Sequence, residues 1–500
     1  MTQWIRSFGG RRGQLGRLFI AIALSMVVTV LLGWGRSPAL AQTARHYTEL
    51  TFPPLPEIKL PDYTRYELAN GMVVFLMEDH ELPLVGGTAM FRTGDRLEPS
   101  DKVGLAGIMG SVMRSGGTLN HPADELNRML EQRAASVETG VDTTVGSAGF
   151  SALTEDLDDV FQLFAEVIRQ PAFPQDKIDL SKTQLRGAIA RRNDNPDDIA
   201  GREFQKLVYG TDSPYARTVE YVTLNKISRD DLVQFYQTYF HPNNMILGIV
   251  GDFDTNAMKA LIEKTFADWQ PNQNLNTKDL PLPQVEQAKL GGMFLVDQPQ
   301  LTQSYIQMGH LGGQLKDPDN AALSVLNEVM NGFGGRLVNE VRSRQGLAYV
   351  VYAYWSPRFD YPGLYVSGGQ TRSEMTVPFI QSVFSEIERV RTSPVSDTEL
   401  TRAKDSVLNA FIFNFQTPGQ ILARLMRYEY YGYPSDFIFR YRREIEATTI
   451  GDVLEAAKAN LQPEKIVTLV VGNAADIQPP LNTLTNGADV TKIDVTIPSP

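Results

Sequence analysis

An arginine and a tyrosine seven positions apart are the side chains in this sequence best suited to take part in a reaction. Arg342 carries a guanidinium group and Tyr349 carries a phenol. Both groups donate hydrogen bonds, and such donors stabilise a carbonyl oxygen and the negative charge that grows on it when the carbonyl carbon is attacked. The spacing is also compatible with a structural role, in which Arg342 is a solvated helix residue and Tyr349 packs in a sheet.

The residues around this pair predict a glycine-rich turn, a short helix and a strand. Gly332, Gly334 and Gly335 are expected to supply the unusual φ angles of a tight loop. Apolar residues at helical spacing follow, and Gly346 occupies the position of a C-terminal cap. The stretch Leu347–Trp355 alternates and is rich in Val and Tyr, which favours a strand. The arginine therefore lies near the end of a helix, and the tyrosine lies on the following strand.

The run Val341–Tyr349 resembles the pitrilysin/insulinase family of zinc peptidases. In the C-terminal half of that family, a pattern similar to Leu-Arg-x-x-x-x-Leu-x-Tyr places an arginine on a helix and a tyrosine seven residues later. The resemblance implies that Arg342 and Tyr349 reach into a peptide-binding chamber as donors to a substrate. It also implies that Gly334 and Gly335 belong to the turn that orients this helix, beside the substrate.

The metal site of that family is missing from this sequence. Active members carry the inverted motif His-x-x-Glu-His in the helix after Gly-Leu-Ala, where imidazoles hold zinc and the glutamate acts as a base. The corresponding helix here begins at Gly104, and the three motif positions are Gly107, Gly110 and Ser111. The distal glutamate ligand aligns with Gly187-Ala188. Since none of these side chains ligates zinc, we expect no metal in this chain.

Other positions depart from the family as well. Active members carry an asparagine in the substrate-binding strand, and Glu138 takes its place within Ser136–Thr139. Glycine inside a helix costs about 1 kcal/mol relative to alanine, so Gly107 and Gly110 suggest that a neighbouring strand, helix or peptide presses close to them. No histidine has another three or four residues away, and each is interpreted as a surface or turn residue.

The N-terminus predicts export. Arginines precede the apolar run Leu18–Trp34, and Ala39-Leu40-Ala41 provides a cleavage site, so residues 1–41 are predicted to be a secretory signal peptide. The alternative is an uncleaved membrane anchor. The absence of cysteine excludes disulfides and thiolate metal sites, and a formal charge of −11 argues against nucleic acid as a partner. We expect a periplasmic protein, or one in an equivalent lumen, that touches the membrane only through an uncleaved signal segment.

Self-similarity predicts two homologous halves. The phrase His241–Asp252 recurs as Gln462–Asn473, and Gly71–Arg92 parallels Gly292–His310. Runs of strands and paired helices indicate an α+β fold, each half a mainly antiparallel sheet with helices packed on one face. The resemblance implies that the halves form a clamshell around a chamber. The expected segments are a leader at 42–62, an N-terminal peptidase-like domain with the degenerate metal site at 63–270, a linker at 271–290, a C-terminal domain with the Arg/Tyr pair at 291–480 and a tail at 481–500.

Three functions are compatible with a family member that keeps the Arg/Tyr pair and lacks the metal ligands. The first is a non-catalytic, substrate-binding subunit of a heterodimeric zinc metallopeptidase that acts on unfolded peptides. A homologous subunit with the intact motif would then hold the zinc, and this chain would supply Arg342 and Tyr349. The second is a structural or scaffold subunit of a larger envelope assembly, and the third is a stand-alone peptide-binding protein. Retention of the pair favours the first.

Overall fold

Two sheets, one in each half of the chain, organise the fold of the described residues. The computed structural model describes residues 60–275, 280, 282–332, 334–485, 487 and 489–499, and these fall in one compact unit. The predicted signal peptide and nearly all of the predicted leader lie outside these residues, as does Phe333 in the glycine-rich loop.

The first sheet belongs to the N-terminal half. Its strands are β1 (Thr64–Glu67), β2 (Val73–Glu78), β3 (Leu84–Phe91), β4 (Ser136–Val141), β5 (Gly146–Leu153) and β6 (Met245–Gly251). Their order is β1-β2-β6-β3-β5-β4, and all neighbours are antiparallel except β2 and β6. Strand β4, which carries Glu138, therefore lies at an edge of the sheet.

The second sheet repeats this arrangement. Its strands are β7 (Met293–Asp297), β8 (Gln303–Leu311), β9 (Ala348–Ser356), β10 (Leu364–Arg372), β11 (Val467–Gly472) and β12 (Thr491–Lys492). Their order is β12-β7-β11-β8-β10-β9, and only the pairs of β7 with β11 and β12 are parallel. The runs β2-β6-β3-β5-β4 and β7-β11-β8-β10-β9 correspond strand for strand. This correspondence confirms the predicted α+β fold of two similar halves.

Helices connect and cover the strands. Those of the first half are α1 (Leu105–Ser115), α2 (Ala123–Glu131), α3 (Leu157–Arg169), α4 (Gln175–Ala190), α5 (Pro196–Tyr209), α6 (Tyr221–Lys226), α7 (Arg229–Tyr239) and α8 (Thr255–Phe266). Those of the second half are α9 (Asn320–Asn331), a π-helix (Val338–Arg344), α10 (Thr376–Thr392), α11 (Asp397–Ala410), α12 (Pro418–Tyr431), α13 (Phe437–Ala447) and α14 (Ile450–Asn460). None of the helices in the described part of the chain is long and apolar enough to cross a membrane.

One helix of each half packs against the sheet of the other half. One face of each sheet packs on helices of its own half, as predicted, and the remaining face is covered from across the molecule. Helix α5 of the first half buries Phe204 and Val208 against Leu469 of the second sheet. Helix α12 of the second half buries Leu422 and Met426 against the first sheet. The exchange ties the halves together through apolar contacts, which are the main source of stability in such packing.

Candidate functional site

The segment that carries Arg342 is a π-helix between two glycines with positive φ. Gly334 has a φ of +80° and Gly346 a φ of +63°, a conformation that favours glycine. The prediction of unusual φ angles was wrong for Gly332 and Gly335, which do not have positive φ and are instead packed closely against neighbouring backbone. The π-helix spans Val338–Arg344, and such helices occur often at functional sites.

Arg342 and Tyr349 lie side by side at the surface. The guanidinium carbon of Arg342 is 4.4 Å from the ring centroid of Tyr349, a cation–π distance. Both side chains are exposed, and Tyr349 keeps 77 % of its surface accessible on the edge strand β9. Neither side chain has a hydrogen bond or an ion pair with another described residue. The two donor groups are therefore free to meet a ligand.

The neighbouring charges of the π-helix are already paired. Glu340 accepts hydrogen bonds from Arg344 and from Gln345, the latter at 2.6 Å. Arg336, at the start of the segment, donates to both carboxylate oxygens of Glu399 at 2.7 and 3.1 Å. Hydrogen bonding to Arg336 lowers the pKa of Glu399 to about 2, so this pair is charged at neutral pH. These contacts stabilise the π-helix. Arg342 is the cation of this helix that has no ion-pair partner among the described residues.

The degenerate metal positions lie on helix α1 in two different environments. A Cβ atom at Gly107 would meet nothing within 4 Å, so the expectation of close packing was wrong there. A Cβ atom at Gly110 would lie 2.6 Å from the backbone nitrogen of Val141 on β4, which confirms close packing at this position. The Thr139 hydroxyl also donates to the Gly110 carbonyl at 2.6 Å. The position of the family's general base is therefore closed by β4, whereas Gly107 is open.

A cleft of about 470 Å³ lies beside these positions. Gly107 and Ser111 of α1 line it together with Ala188 of α4, at the aligned position of the distal ligand. The structure thus brings the aligned ligand positions of the family to one place. These side chains offer no imidazole and no carboxylate, so this donor set does not fit zinc. No group of three or more His, Asp or Glu side chains suited to a metal ion occurs in the described ranges.

Two charged residues at this cleft were missed by the sequence analysis. Glu98 is buried and accepts hydrogen bonds from the backbone N–H groups of Gly104 and Ala106 at 2.9 and 2.8 Å. Its burial raises its pKa to about 7 despite these donors. Arg217 donates to the backbone carbonyls of Asp95 and Glu98 at 2.7 and 2.9 Å. Glu98 thus caps α1 from a preceding loop, a contact that no local sequence pattern indicates.

Strand β4 holds Glu138 in an exposed position at the sheet edge. Its neighbour Val137 is buried, and the Val137 carbonyl accepts a hydrogen bond from Nε of Arg114 at 2.8 Å. Arg114 belongs to α1, so the helix that carries the degenerate metal positions also occupies part of this edge. Nothing in these contacts gives Glu138 a partner that would explain the change from asparagine.

The histidines do not share one environment. The side chains of His80, His121 and His241 are partly or largely exposed, in line with the prediction for them, and His46 lies outside the described residues. His310 contradicts the prediction, because it lies on β8 with only 1 % of its surface accessible. Its Nδ1 donates to the Leu311 carbonyl at 2.8 Å, and its Nε2 accepts from the Gln462 N–H at 3.1 Å. Both ring nitrogens are used within the fold, so His310 is structural.

Two protein-family profiles match most of the chain. Residues 75–215 match Insulinase (Peptidase family M16), and residues 226–407 match Peptidase M16 inactive domain. The chain is 24% identical over 427 residues to the non-peptidase homolog YmxG of Helicobacter pylori, covering 82% of this chain and 94% of that protein. It is 22% identical over 364 residues to the uncharacterized zinc protease YmxG of Bacillus subtilis, covering 72% and 86%.

Solved structures share the fold. A peptidase M16 inactive domain from Pseudomonas fluorescens has a TM-score of 0.73 and 24% identity, and the alignment covers 84% of this chain and 100% of that one. The periplasmic protease PqqL of Escherichia coli has a TM-score of 0.70 and 15% identity. That alignment covers 85% of this chain and 47% of PqqL, so the present chain spans about half of that protein.

Proposed function

Because the chain belongs to the insulinase family of peptidases (family M16), we propose that it is a non-catalytic, substrate-binding subunit of a heterodimeric peptidase. In this proposal it binds unfolded peptides and supplies Arg342 and Tyr349 to the active site of a homologous partner. The partner carries the intact His-x-x-Glu-His motif and holds the zinc.

The free Arg342–Tyr349 pair carries the proposal. The two side chains are in contact at the surface, and their donor groups have no partner among the described residues, although Arg344 and Arg336 nearby are both paired. A guanidinium and a phenol placed together can hold a substrate carbonyl and stabilise the oxyanion that forms from it. The cation–π contact fixes the two side chains beside each other and leaves their N–H and O–H groups available to a ligand.

The environment of the degenerate site supports the non-catalytic role. Gly107, Ser111 and Ala188 supply no metal ligand, and the place of the general base at Gly110 is filled by β4. The chain alone therefore lacks both the metal ligands and the base of the reaction. Water activation must come from the partner, and the chemical contribution of this chain is limited to binding and orienting the peptide.

Mixing the two subunits tests this proposal. We expect this chain alone to be inactive and free of bound zinc, and the mixture with a motif-bearing homologue from the same organism to cleave unfolded peptides. Arg342→Ala combined with Tyr349→Phe should lower the rate of the mixture by about 10²-fold or more, since oxyanion donors contribute that much. Arg440→Ala is the matched control, because it removes an exposed arginine from the same half of the chain and leaves the pair and the contacts of the π-helix intact.

The outcomes separate the three functions. Full activity of the mixture with the double variant would remove the donor role. A complex that assembles without peptidase activity would favour a scaffold subunit, which need not use the pair. Peptide binding by this chain without any partner, in the absence of cleavage by any mixture, would favour a stand-alone peptide-binding protein.

The proposal also places the chain outside the cytoplasm. The apolar run and the cleavage site within residues 1–41 support export, and the absence of cysteine is compatible with it. PqqL, with which the chain shares its fold, is a periplasmic protein. Fractionation of cells with an antibody against the chain would test this, and N-terminal sequencing of the exported form would show whether it begins at Gln42.

A further inference from the structure

Two asparagines cover part of the outer edge of β9. The side-chain amide of Asn327 accepts from the Trp355 N–H at 2.7 Å and donates to the Trp355 carbonyl at 2.9 Å. Asn331, one helical turn later on α9, does the same for Ala353, at 2.8 and 2.5 Å. Each amide thus takes the place of a peptide group on a neighbouring strand. Such covers prevent unwanted pairing at sheet edges.

The cover stops short of Val351. Along an edge strand, the backbone N–H and C=O groups of alternate residues bond the neighbouring strand or point away from the sheet. The backbone groups of Val351 therefore point away from β10, like those of Ala353 and Trp355. No side chain or backbone group of another described residue bonds its outward N–H or carbonyl. Next to it lie a bulge opposite Gln370 and the exposed Tyr349 and Val350. Val351 is therefore an unpaired edge residue between the exposed Tyr349 and Val350 on one side and Ala353, covered by Asn331, on the other.

The equivalent edge of the first half is more obstructed. The Asp142 N–H donates to the Val145 carbonyl, so every second residue back from Asp142 bonds β5. The backbone groups of Val137, Thr139 and Val141 therefore point away from β5. The Arg114 side chain donates a hydrogen bond to the Val137 carbonyl, and the backbone of Val141 lies against Gly110. Helix α1 thus contacts β4 on both sides of Thr139 and accepts a hydrogen bond from Thr139 itself, so an added strand would have to displace these contacts.

We propose that a substrate peptide adds to this chain at Val351 on the edge of β9, through one antiparallel residue pair, and not along β4. The inference rests on the proposed function and specifies its peptide site. The peptide is extended, with an unmodified backbone N–H and carbonyl at the pairing residue. The peptide residue next to the pairing residue places its side chain beside the exposed Val350, so an apolar side chain suits that peptide position. Asn331 blocks further pairing, and Tyr349 with Arg342 flanks the open end.

A proline scan of the two edges tests the site. Val351→Pro removes an outward N–H and no bond to β10, because those bonds come from the alternate residues, and edge strands tolerate proline. Val351→Ala controls for the loss of the side chain, which packs against the core of the second half. Thr139→Pro is the corresponding variant on β4, and Thr139→Val controls for the loss of the hydroxyl that donates to the Gly110 carbonyl. The probe is a fluorescein-labelled peptide with a single Thr-Val-Thr segment in a Ser-Gly background and lysine at both ends, so that its register is unique, and its affinity is measured by anisotropy. We expect Val351→Pro to weaken binding tenfold or more, and Thr139→Pro to change it less than twofold.

A methylation scan of the probe covers the case in which a proline variant does not fold. N-methylation of the peptide backbone should weaken binding to the unmodified chain strongly at one position only. The Asn331→Ala variant also frees the backbone of Ala353. N-methylation should then weaken binding at two positions of the peptide that are two residues apart. Loss of binding with Thr139→Pro alone, or tolerance of methylation at every position, would overturn the β9 site and leave peptide binding intact. No binding of any unfolded peptide, alone or with the partner, would overturn the proposed function as well.

Discussion

The buried Arg96 and the half-buried Asp360 form an ion pair between the two halves of the chain, with Nη2 and Oδ2 2.8 Å apart. Arg96 precedes α1, and Asp360 lies in the loop between β9 and β10. The same loop places the Tyr361 ring on that of Tyr215 at a centroid distance of 4.1 Å. The loop that follows the Arg/Tyr strand is therefore anchored in the first half, and this anchor fixes the position of β9.

Breaking this pair should destabilise the whole chain. Asp360→Ala leaves the Arg96 guanidinium buried without a counter-charge, and its Nε and Nη1 already lack partners. We expect the free energy of unfolding to fall by about 3 kcal/mol or more, as for other buried pairs that lose one member. Chemical denaturation measures the change. Glu455→Ala, in an exposed pair with Lys458, should change it by less than about 1 kcal/mol, and equal effects would contradict the argument.

Two glycines of α1 should respond to alanine in opposite directions. At Gly107 a methyl group meets open space, so Gly107→Ala should raise the free energy of unfolding by up to about 1 kcal/mol through helix propensity. At Gly110 the methyl group would collide with the backbone of Val141, so Gly110→Ala should lower it by about 1–3 kcal/mol. Urea denaturation of both variants provides the comparison. Stabilisation by Gly110→Ala would mean that β4 does not close this position.

The metal ligands should be easier to restore than the base. The positions of all three ligands line one cleft, so the variant Gly107→His, Ser111→His, Ala188→Glu is expected to bind zinc, measured by elemental analysis after dialysis. The further change Gly110→Glu should lower the melting temperature, because β4 must move to admit the side chain. A folded triple variant that takes up no zinc would contradict the shared cleft.

Much of the fold was predictable because its signals are local. The hairpin of β1 and β2, the helix from Leu105 and the recurrence of β6 as β11 all follow from apolar spacing and turn residues within short windows. The exchange of α5 and α12 between the halves was not predictable, since their apolar faces carry no mark of which sheet they cover. The distant positions Gly107 and Ala188 were paired through family resemblance, not through any physical signal in the chain.

The sites depended even more on tertiary contacts. Arg342 and Tyr349 were identified from a pattern, but their free donors only became visible with the ion pairs around them. Asn327 and Asn331 are ordinary helix residues in the sequence, and their role appears only because β9 passes beside that face of α9. Edge exposure depends on strand order, and strand order in turn depends on contacts between distant segments.

His310 should make the stability of the chain depend on pH. Burial lowers the pKa of His310 below its usual value. The hydrogen bond to the Leu311 carbonyl and the charge of Glu464 oppose this shift, and the charge of Lys465 adds to it. The unfolded chain therefore takes up a proton near pH 6.5, whereas the folded chain does so only at lower pH. Stability from the neutral ring is present above pH 6.5 and is lost as the pH falls through the folded pKa. The slope for one such group is at most about 1.4 kcal/mol per pH unit.

The test compares unfolding free energies of the chain and of His310→Gln between pH 7.5 and about pH 5. The unsubstituted chain should lose more stability on acidification than the variant does. His80→Gln is the control of opposite sign, because hydrogen bonds to Asp252 and Glu78 raise the pKa of this exposed histidine. Its contribution is present at low pH and lost as the pH rises. Parallel pH curves for the unsubstituted chain and His310→Gln would show that the ring at 310 is not held neutral by its burial.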